Sequence, residues 1–189
     1  MFLRNSVGQE VITYCVLDSD YHTEEEIRER LEEAAVKGVE LHVWKRKEIE
    51  NYLLVPAAIL RAAQGLEPGL RDVREDQIVD QIDRVAEGLR TDVIELIAEH
   101  SHQRNRAVGI RTHMQRAREA VAGQWGSFEG RISLVPGKRA LGMLSELMRH
   151  ELGISLSPGA VASAMREGEI ADEVRGVLAA IEQGRRFGR

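Results

Sequence analysis

The sequence of 189 residues contains a single cysteine, few aromatic residues and no long apolar run. Because Cys15 has no second cysteine to pair with, an intramolecular disulfide and a cysteine-ligated zinc site are both excluded. Aromatic residues make up only 4% of the chain, so the core must consist mainly of Val, Ile, Leu and Ala. No apolar run approaches the roughly 20 residues of a membrane span, and the first residues lack the apolar stretch of a signal peptide. These absences predict a cytoplasmic protein that does not enter a membrane.

The charge of the chain is unevenly distributed. The net charge is −5, which argues against nucleic-acid binding through bulk charge alone. Residues 100–118, however, contain five arginines, three histidines and no carboxylate, a pattern typical of a surface that contacts phosphates. A continuous helix would place Arg104, Arg111 and Arg118 on roughly one face, as a track for the DNA backbone. An ordinary solvated helix face is the alternative interpretation.

The first 45 residues have the pattern of a β-α-β unit. Residues 10–17 are apolar and rich in β-branched side chains, as in a buried strand. Thr23 and Glu26 predict a capping box that begins a helix reaching about Lys37, and residues 39–44 alternate as a second strand. Two strands joined by one helix are expected to be parallel. The sequence therefore predicts an α/β fold.

The remainder of the chain is predicted to be mostly helical. Apolar residues repeat at helical spacing between about residues 75 and 122, and we predict a helical insertion over residues 56–124. Residues 131–135 (RISLV) are predicted to form a third strand. Residues 1–55 are then the first part of an α/β core, and residues 125–189 are its remainder with C-terminal helices.

Two aspartates follow the first predicted strand. Alternate residues of an extended chain share a face, so Asp18 and Asp20 can point in the same direction. They come at the carboxyl end of a parallel strand, where open α/β sheets bind their ligands. Two neighbouring carboxylates repel each other unless a divalent cation lies between them, and such oxygen ligands suit Mg²⁺. By itself, this pair is explained equally well by a solvated turn that caps the next helix.

A second acidic pair, Glu48 and Glu50, follows the second predicted strand with the same spacing. Carboxylate pairs at neighbouring strand ends can hold one or two cations, and two cations about 4 Å apart support phosphodiester cleavage. The alternative is that Lys45, Arg46 and Lys47 pair with these glutamates on the surface. Together with the aspartates, the second pair favours a metal site.

A lysine is the third element of the predicted site. Lys138 follows Pro136 and Gly137 between a predicted strand and a predicted helix. A lysine in the first turn of a helix lies unfavourably near the positive end of the helix dipole. A cation at this place can neutralise a scissile phosphate in the transition state. This function would account for a lysine in an otherwise unfavourable position.

Three segments of the chain together resemble one family. VITYCVLDSDYHTEEEI, RKEIENYLL and VPGKRAL are similar, in this order, to the TOPRIM region of OLD-type (overcoming lysogenization defect) nucleases. The resemblance implies a TOPRIM-like, Rossmann-like parallel sheet with a helical insertion. It also implies two-metal cleavage of DNA with Mg²⁺ or Mn²⁺, or with Ca²⁺, and an N-terminal ABC-type ATPase on the same polypeptide. By position, the resemblance assigns the metal-ligand role to Asp18, Asp20, Glu48 and Glu50, and a catalytic role to Lys138, Asp18, Asp20 and Glu50.

The chain departs from this family in one respect. The family's fold begins with a strand that ends in a glutamate, whereas the only upstream acid here is Glu10, at the start of its predicted strand. The chain is therefore expected to begin within the TOPRIM fold, and inactivity in isolation stays open. Two other interpretations also stay open. One is a degenerate TOPRIM module for DNA docking or dimerisation. The other is a haloacid-dehalogenase-like phosphatase, although that family has Thr or Val where this chain has His22.

Overall fold

The computed structural model describes residues 12–187. Glu10 and the beginning of the first predicted strand lie outside the described residues. The described chain is mostly helical and has a two-stranded parallel sheet, in agreement with an α/β fold. It divides into two compact units, one of residues 12–45 with 170–187 and the other of residues 46–169. Within the described range, no helix combines the length and apolar character that crossing a membrane requires.

The first unit contains the predicted β-α-β segment. Strands β1 (Thr13–Leu17) and β2 (Val39–Val43) run parallel, and every residue of β1 faces one of β2. Helix α1 (Glu24–Val36) joins the two strands. The parallel pairing is therefore confirmed.

The local signal that begins α1 acts as predicted. The Thr23 hydroxyl accepts a hydrogen bond from the Glu26 N–H at 3.3 Å, and the Thr23 N–H donates to Glu26 Oε2 at 2.7 Å. This reciprocal pair satisfies two N–H groups that would otherwise be unbonded at the helix start. After the helix, Gly38 adopts a φ of 70°, which glycine accepts without steric cost.

The C-terminal helix α8 (Asp172–Glu182) belongs to the same unit as the sheet. Glu173 Oε1 lies 2.9 Å from His42 Nε2 and accepts the Lys45 N–H at 3.1 Å. The Tyr14 hydroxyl donates to the Arg185 carbonyl at 2.8 Å. These bonds connect the end of the chain to both strands.

The second unit consists of helices joined by short connections. In chain order, helices α2 to α7 are Pro56–Leu66, Glu75–Arg104, Ile110–Trp125, Phe128–Leu134, Gly137–Leu152 and Pro158–Ala164. Shorter 3-10 helices cover Ile49–Leu53, Pro68–Asp72 and Glu167–Glu169. The long helix α3 packs against α2, α4, α5 and α6. Its apolar residues at helical spacing, among them Ile78, Ile82, Leu89 and Val93, are almost fully buried, which is the amphipathic pattern of a helix that faces a core.

The predicted third strand, residues 131–135, is wrong, because residues 131–134 belong to helix α5 and Val135 directly follows it. The Ser127 hydroxyl caps that helix by accepting the Gly130 N–H at 3.0 Å. Arg131 then donates two hydrogen bonds of 2.9 Å to Asp83 of α3, while Ile132 is buried. A short apolar run does not distinguish a strand from a buried helical turn, so tertiary contacts decided the outcome. Lys138 consequently follows a helix rather than a strand.

Candidate functional site

Asp18 and Asp20 lie in the turn that follows β1, at the carboxyl end of the parallel pair, as predicted. Asp20 and Tyr21 have φ angles of 45° and 62°, a region that residues other than glycine seldom adopt. Each of these two backbone conformations costs about 1–3 kcal/mol of folding free energy. Such backbone strain often occurs at functional sites. The Ser19 carbonyl closes the turn by accepting the His22 N–H at 2.7 Å. The turn is therefore closed by a hydrogen bond in a backbone conformation that its non-glycine residues disfavour.

The second unit brings together three of the predicted site residues. Glu48 precedes a 3-10 helix, Glu50 lies within it, and Lys138 is in the first turn of α6. The Lys138 N–H donates to Glu48 Oε2 at 2.9 Å. The Lys138 Nζ lies 3.5 Å from Glu50 Oε1. Both glutamates thus contact the same lysine, one through its backbone and the other through its side chain.

Both carboxylate oxygens of Glu48 are engaged. Oε1 lies 2.8 Å from Lys47 Nζ, and only 10% of the lysine side chain and 14% of the glutamate side chain are exposed. Oε2 accepts the Lys138 N–H, one of the helix-start N–H groups that have no partner within the helix. Lys47 thus pairs with an adjacent glutamate, as the alternative interpretation has it, but in a largely buried pair and not on the surface. Arg46 instead pairs with Glu129 at 2.7 Å. Glu48 neutralises a largely buried cation and anchors the start of α6.

Glu50 has a different environment. Its side chain is 18% exposed, and its Oε2 is buried without a hydrogen-bond partner among the described residues. A buried carboxylate oxygen without a donor is costly, and native proteins seldom leave one unsatisfied. A divalent cation is a group that would remove this cost, since hard cations bind carboxylate oxygens. Glu50 therefore supplies one oxygen of the kind that binds a metal ion.

Asn51, which was not predicted to have a functional role, lies at the centre of this cluster. It is fully buried, and its Nδ2 donates to the carbonyls of Ile132 and Val135, each at 2.7 Å. Its Oδ1 accepts the Glu48 N–H at 2.8 Å. The sequence contains no signal for this role, because the carbonyl partners of the amide lie 81 and 84 residues further along the chain.

A close approach between Gly137 and Asn51 completes the cluster. A Cβ atom on Gly137 would lie 2.7 Å from both the backbone nitrogen and the Oδ1 of Asn51. Only glycine fits at this position without displacing one of the two segments. In addition, the Lys47 N–H donates to the Ser133 carbonyl at 3.0 Å. The chain around Glu48 and Glu50 is thereby held against the connection from α5 to α6.

The predicted arginine track does not form on one continuous helix. Arg104 is the last residue of α3, whereas Arg111 and Arg118 lie on α4, and residues 105–109 separate the two helices. The break occurs where Gly109, in an extended conformation, caps the start of α4. Arg111 and Arg118 still lie two helical turns apart on one exposed face. Neither of these two arginines forms an ion pair with any residue that the structure describes.

No protein-family model, curated protein or solved structure matches the chain.

Proposed function

We propose that this chain is the catalytic part of a metal-dependent nuclease that hydrolyses DNA phosphodiesters. The observation that carries the proposal is the pairing of Glu50, which has a buried oxygen without a donor, with the exposed Lys138. The strained turn that holds Asp18 and Asp20 gives further support. The three segments that resemble OLD-type TOPRIM regions contain all four of these residues.

Asp18 and Asp20 are proposed to bind metal through their carboxylates, and so are Glu48 and Glu50. Mg²⁺ or Mn²⁺, as one or two ions, would supply polarisation of a water molecule and neutralisation of charge on the leaving oxygen. Glu50 offers the oxygen that has no other described partner. Glu48, whose two oxygens are already hydrogen-bonded, primarily orients its neighbours.

Lys138 is proposed to bind the scissile phosphate. Its side chain is 76% exposed, so its ammonium can reach a substrate in solvent. It extends from the first turn of α6, where the helix dipole also attracts anions. A fixed cation at this place stabilises the charge that develops on a phosphate during cleavage. The ion pair with Glu50 restricts the position of the Lys138 amine before substrate binds.

The proposed DNA contacts outside the cleavage residues are Arg104, Arg111 and Arg118. All three are exposed, and Arg111 and Arg118 share one face of α4. They would bind backbone phosphates without reading the base sequence. The family resemblance adds an N-terminal ABC-type ATPase on the same polypeptide as a further proposed partner.

Cleavage of supercoiled plasmid tests the proposal. The unmodified chain is incubated with Mg²⁺, Mn²⁺, Ca²⁺ or EDTA, beside Asp20→Ala and Lys138→Ala. Matched controls are Asp80→Ala, which removes another exposed aspartate, and Lys37→Ala, which removes a lysine that is paired with Glu33. We expect metal-dependent nicking that both site variants lose and both controls keep. Nicking that persists in EDTA, or in both site variants, would contradict the proposal.

A DNA-docking module without catalysis is the second candidate function. The observation that favours it is the complete engagement of Glu48 by Lys47 and Lys138, which leaves this glutamate less available to a metal. Such a module would bind duplex DNA with the same affinity when Asp18 and Asp20 are replaced by alanine, and it would not nick plasmid with any of the three metals. The two functions are thus separated by measuring binding and cleavage on the same variants.

A further inference from the structure

We infer that Asn51 is the positioning residue of the proposed site, because its carboxamide fixes Glu50 beside Lys138. Its part in catalysis rests on the proposed nuclease function. The positioning itself rests on the hydrogen bonds of the second unit and can be measured without any activity.

The Asn51 carboxamide joins the two segments that supply the site. Its two donors are used by the Ile132 and Val135 carbonyls, at the end of α5 and just before α6. Its acceptor is used by the N–H of Glu48. One planar group with two donors and one acceptor satisfies all three partners, which a carboxylate of the same shape cannot do.

The backbone of Asn51 fixes the neighbouring Glu50. The Asn51 N–H donates to the Glu48 carbonyl at 3.1 Å, and its own carbonyl accepts from Arg46 Nη1 at 2.7 Å. Glu50 therefore lies within the turn that the bond from Asn51 to Glu48 closes, two residues after Glu48 and directly before Asn51. The backbone position from which its carboxylate extends follows from these constraints.

The same group fixes the other half of the pair. Gly137 lies so close to Asn51 that even a methyl group would not fit between them, and Lys138 is the next residue. We expect a carboxamide that rotates or loses its partners to shift the first turn of α6. The backbone positions of Glu50 and Lys138 therefore both depend on Asn51.

The test compares Asn51→Asp with Gln64→Glu. Both changes convert a side-chain amide to an acid of similar shape, and Gln64 Nε2 also donates to two backbone carbonyls of the second unit, at 3.3 and 3.5 Å. The first readout is hydrogen exchange at the amides of Glu48 and Lys138, measured on the full chain without metal or DNA. We expect exchange at both amides to become at least tenfold faster in Asn51→Asp and to stay unchanged in Gln64→Glu.

The second readout is plasmid cleavage, measured well below the melting temperature and expressed per folded molecule. We expect kcat to fall at least tenfold in Asn51→Asp while KM for DNA stays within twofold, since the DNA-binding arginines are untouched. A role in stability alone would lower the melting temperature but leave kcat per folded molecule unchanged, and that result would overturn the inference. Unchanged exchange at both amides in a folded variant would overturn it as well.

Asn51→Ser serves as a second variant if Asn51→Asp does not fold, because serine keeps a small polar group and introduces no charge. We expect the same tenfold changes in amide exchange and in kcat for Asn51→Ser. If these changes were absent in a folded Asn51→Ser variant, the inference would be overturned. If the unmodified chain does not cleave DNA, the nuclease proposal fails. The exchange measurement still decides whether Asn51 positions the two segments.

Discussion

Glu50 and Lys138 form an ion pair, 3.5 Å between Oε1 and Nζ, in which one partner is largely buried and the other largely exposed. The side chain of Glu50 is 18% accessible and that of Lys138 is 76% accessible. The acid is therefore held within the protein while the amine reaches solvent. In the proposed reaction, this arrangement allows the carboxylate to hold a cation on the protein side and the amine to meet a phosphate on the solvent side.

Replacing Glu50 by glutamine is expected to separate activity from stability. Cleavage should fall on the order of 100-fold, as when one charge-stabilising group is removed from an active site. The melting temperature should change little, because glutamine has the same size and removes a buried, unsatisfied charged oxygen. Plasmid nicking and thermal unfolding measure the two effects. Full activity in this variant would rule out Glu50 as a metal ligand.

The matched comparison is Glu48→Gln, which should affect stability first. It removes the charge that neutralises Lys47, in a pair whose side chains are only 10% and 14% exposed. Breaking a largely buried pair costs about 3 kcal/mol when one partner is left charged. Urea unfolding should show this loss, and a variant as stable as the unmodified chain would contradict the described pairing.

Two glycines of α6 are expected to respond in opposite directions to alanine. A Cβ at Gly137 meets Asn51 at 2.7 Å, whereas a Cβ at Gly142 meets no heavy atom within 4 Å. Gly137→Ala should therefore lose about 1–3 kcal/mol of unfolding free energy through overpacking. Gly142→Ala should gain about 0.5–1 kcal/mol, because alanine loses less backbone entropy in a helix. Equal stabilities of the two variants in urea would show that the close contact at Gly137 is absent.

The β-α-β segment could be predicted because its signals are local. Thr23 and Glu26 are three residues apart and satisfy each other, and Gly38 follows the helix that they begin. The helix α5 could not be predicted in this way. Its residues resemble a strand, and the bonds from Arg131 to Asp83 join positions that are 48 residues apart.

The candidate site shows the same division. Glu48, Glu50 and Lys138 could be chosen from the sequence, because charged residues next to predicted element ends are visible as patterns. Asn51 could not, since its role comes from carbonyl groups that lie 81 and 84 residues further along the chain. Backbone carbonyls leave no mark in a sequence, and only the fold shows which ones an amide reaches.

Removing Arg111 and Arg118 together should weaken DNA binding in a salt-dependent manner. For each phosphate contact that is lost, the slope of log K against log salt concentration becomes less steep by about 0.9. The control is Arg74→Gln, an exposed arginine that is paired with Asp76 at 2.9 Å. Fluorescence anisotropy of a labelled duplex in EDTA, with KCl varied from about 50 to 200 mM, gives both slopes. A double variant with the slope of the unmodified chain would show that these arginines do not contact phosphates.

The stability of the second unit should depend on pH through Glu169. The Arg61 guanidinium, which also donates to the Ala164 carbonyl at 3.0 Å, pairs with this carboxylate and holds the pKa of Glu169 below its ordinary value. The Arg166 N–H, which donates to the same carboxylate at 2.8 Å, lowers the pKa further. Because the folded state favours the charged form, its contribution is complete above the ordinary glutamate pKa of about 4.3. It is lost as the pH falls through the lower, folded-state pKa.

Glu169→Gln should therefore be less stable than the unmodified chain by about 1–2 kcal/mol at neutral pH, the usual contribution of a hydrogen bond to a charged group. The difference should shrink as the solution is acidified through the folded-state pKa, since both chains then have a neutral side chain at this position. Urea unfolding followed by far-ultraviolet circular dichroism, at neutral pH and at about pH 3, measures the difference. Glu95→Gln, at an exposed position on α3, controls for the loss of one surface charge. An equal loss of unfolding free energy in Glu169→Gln at both pH values would contradict this prediction. It would show that the loss comes from packing and not from the pairing with Arg61.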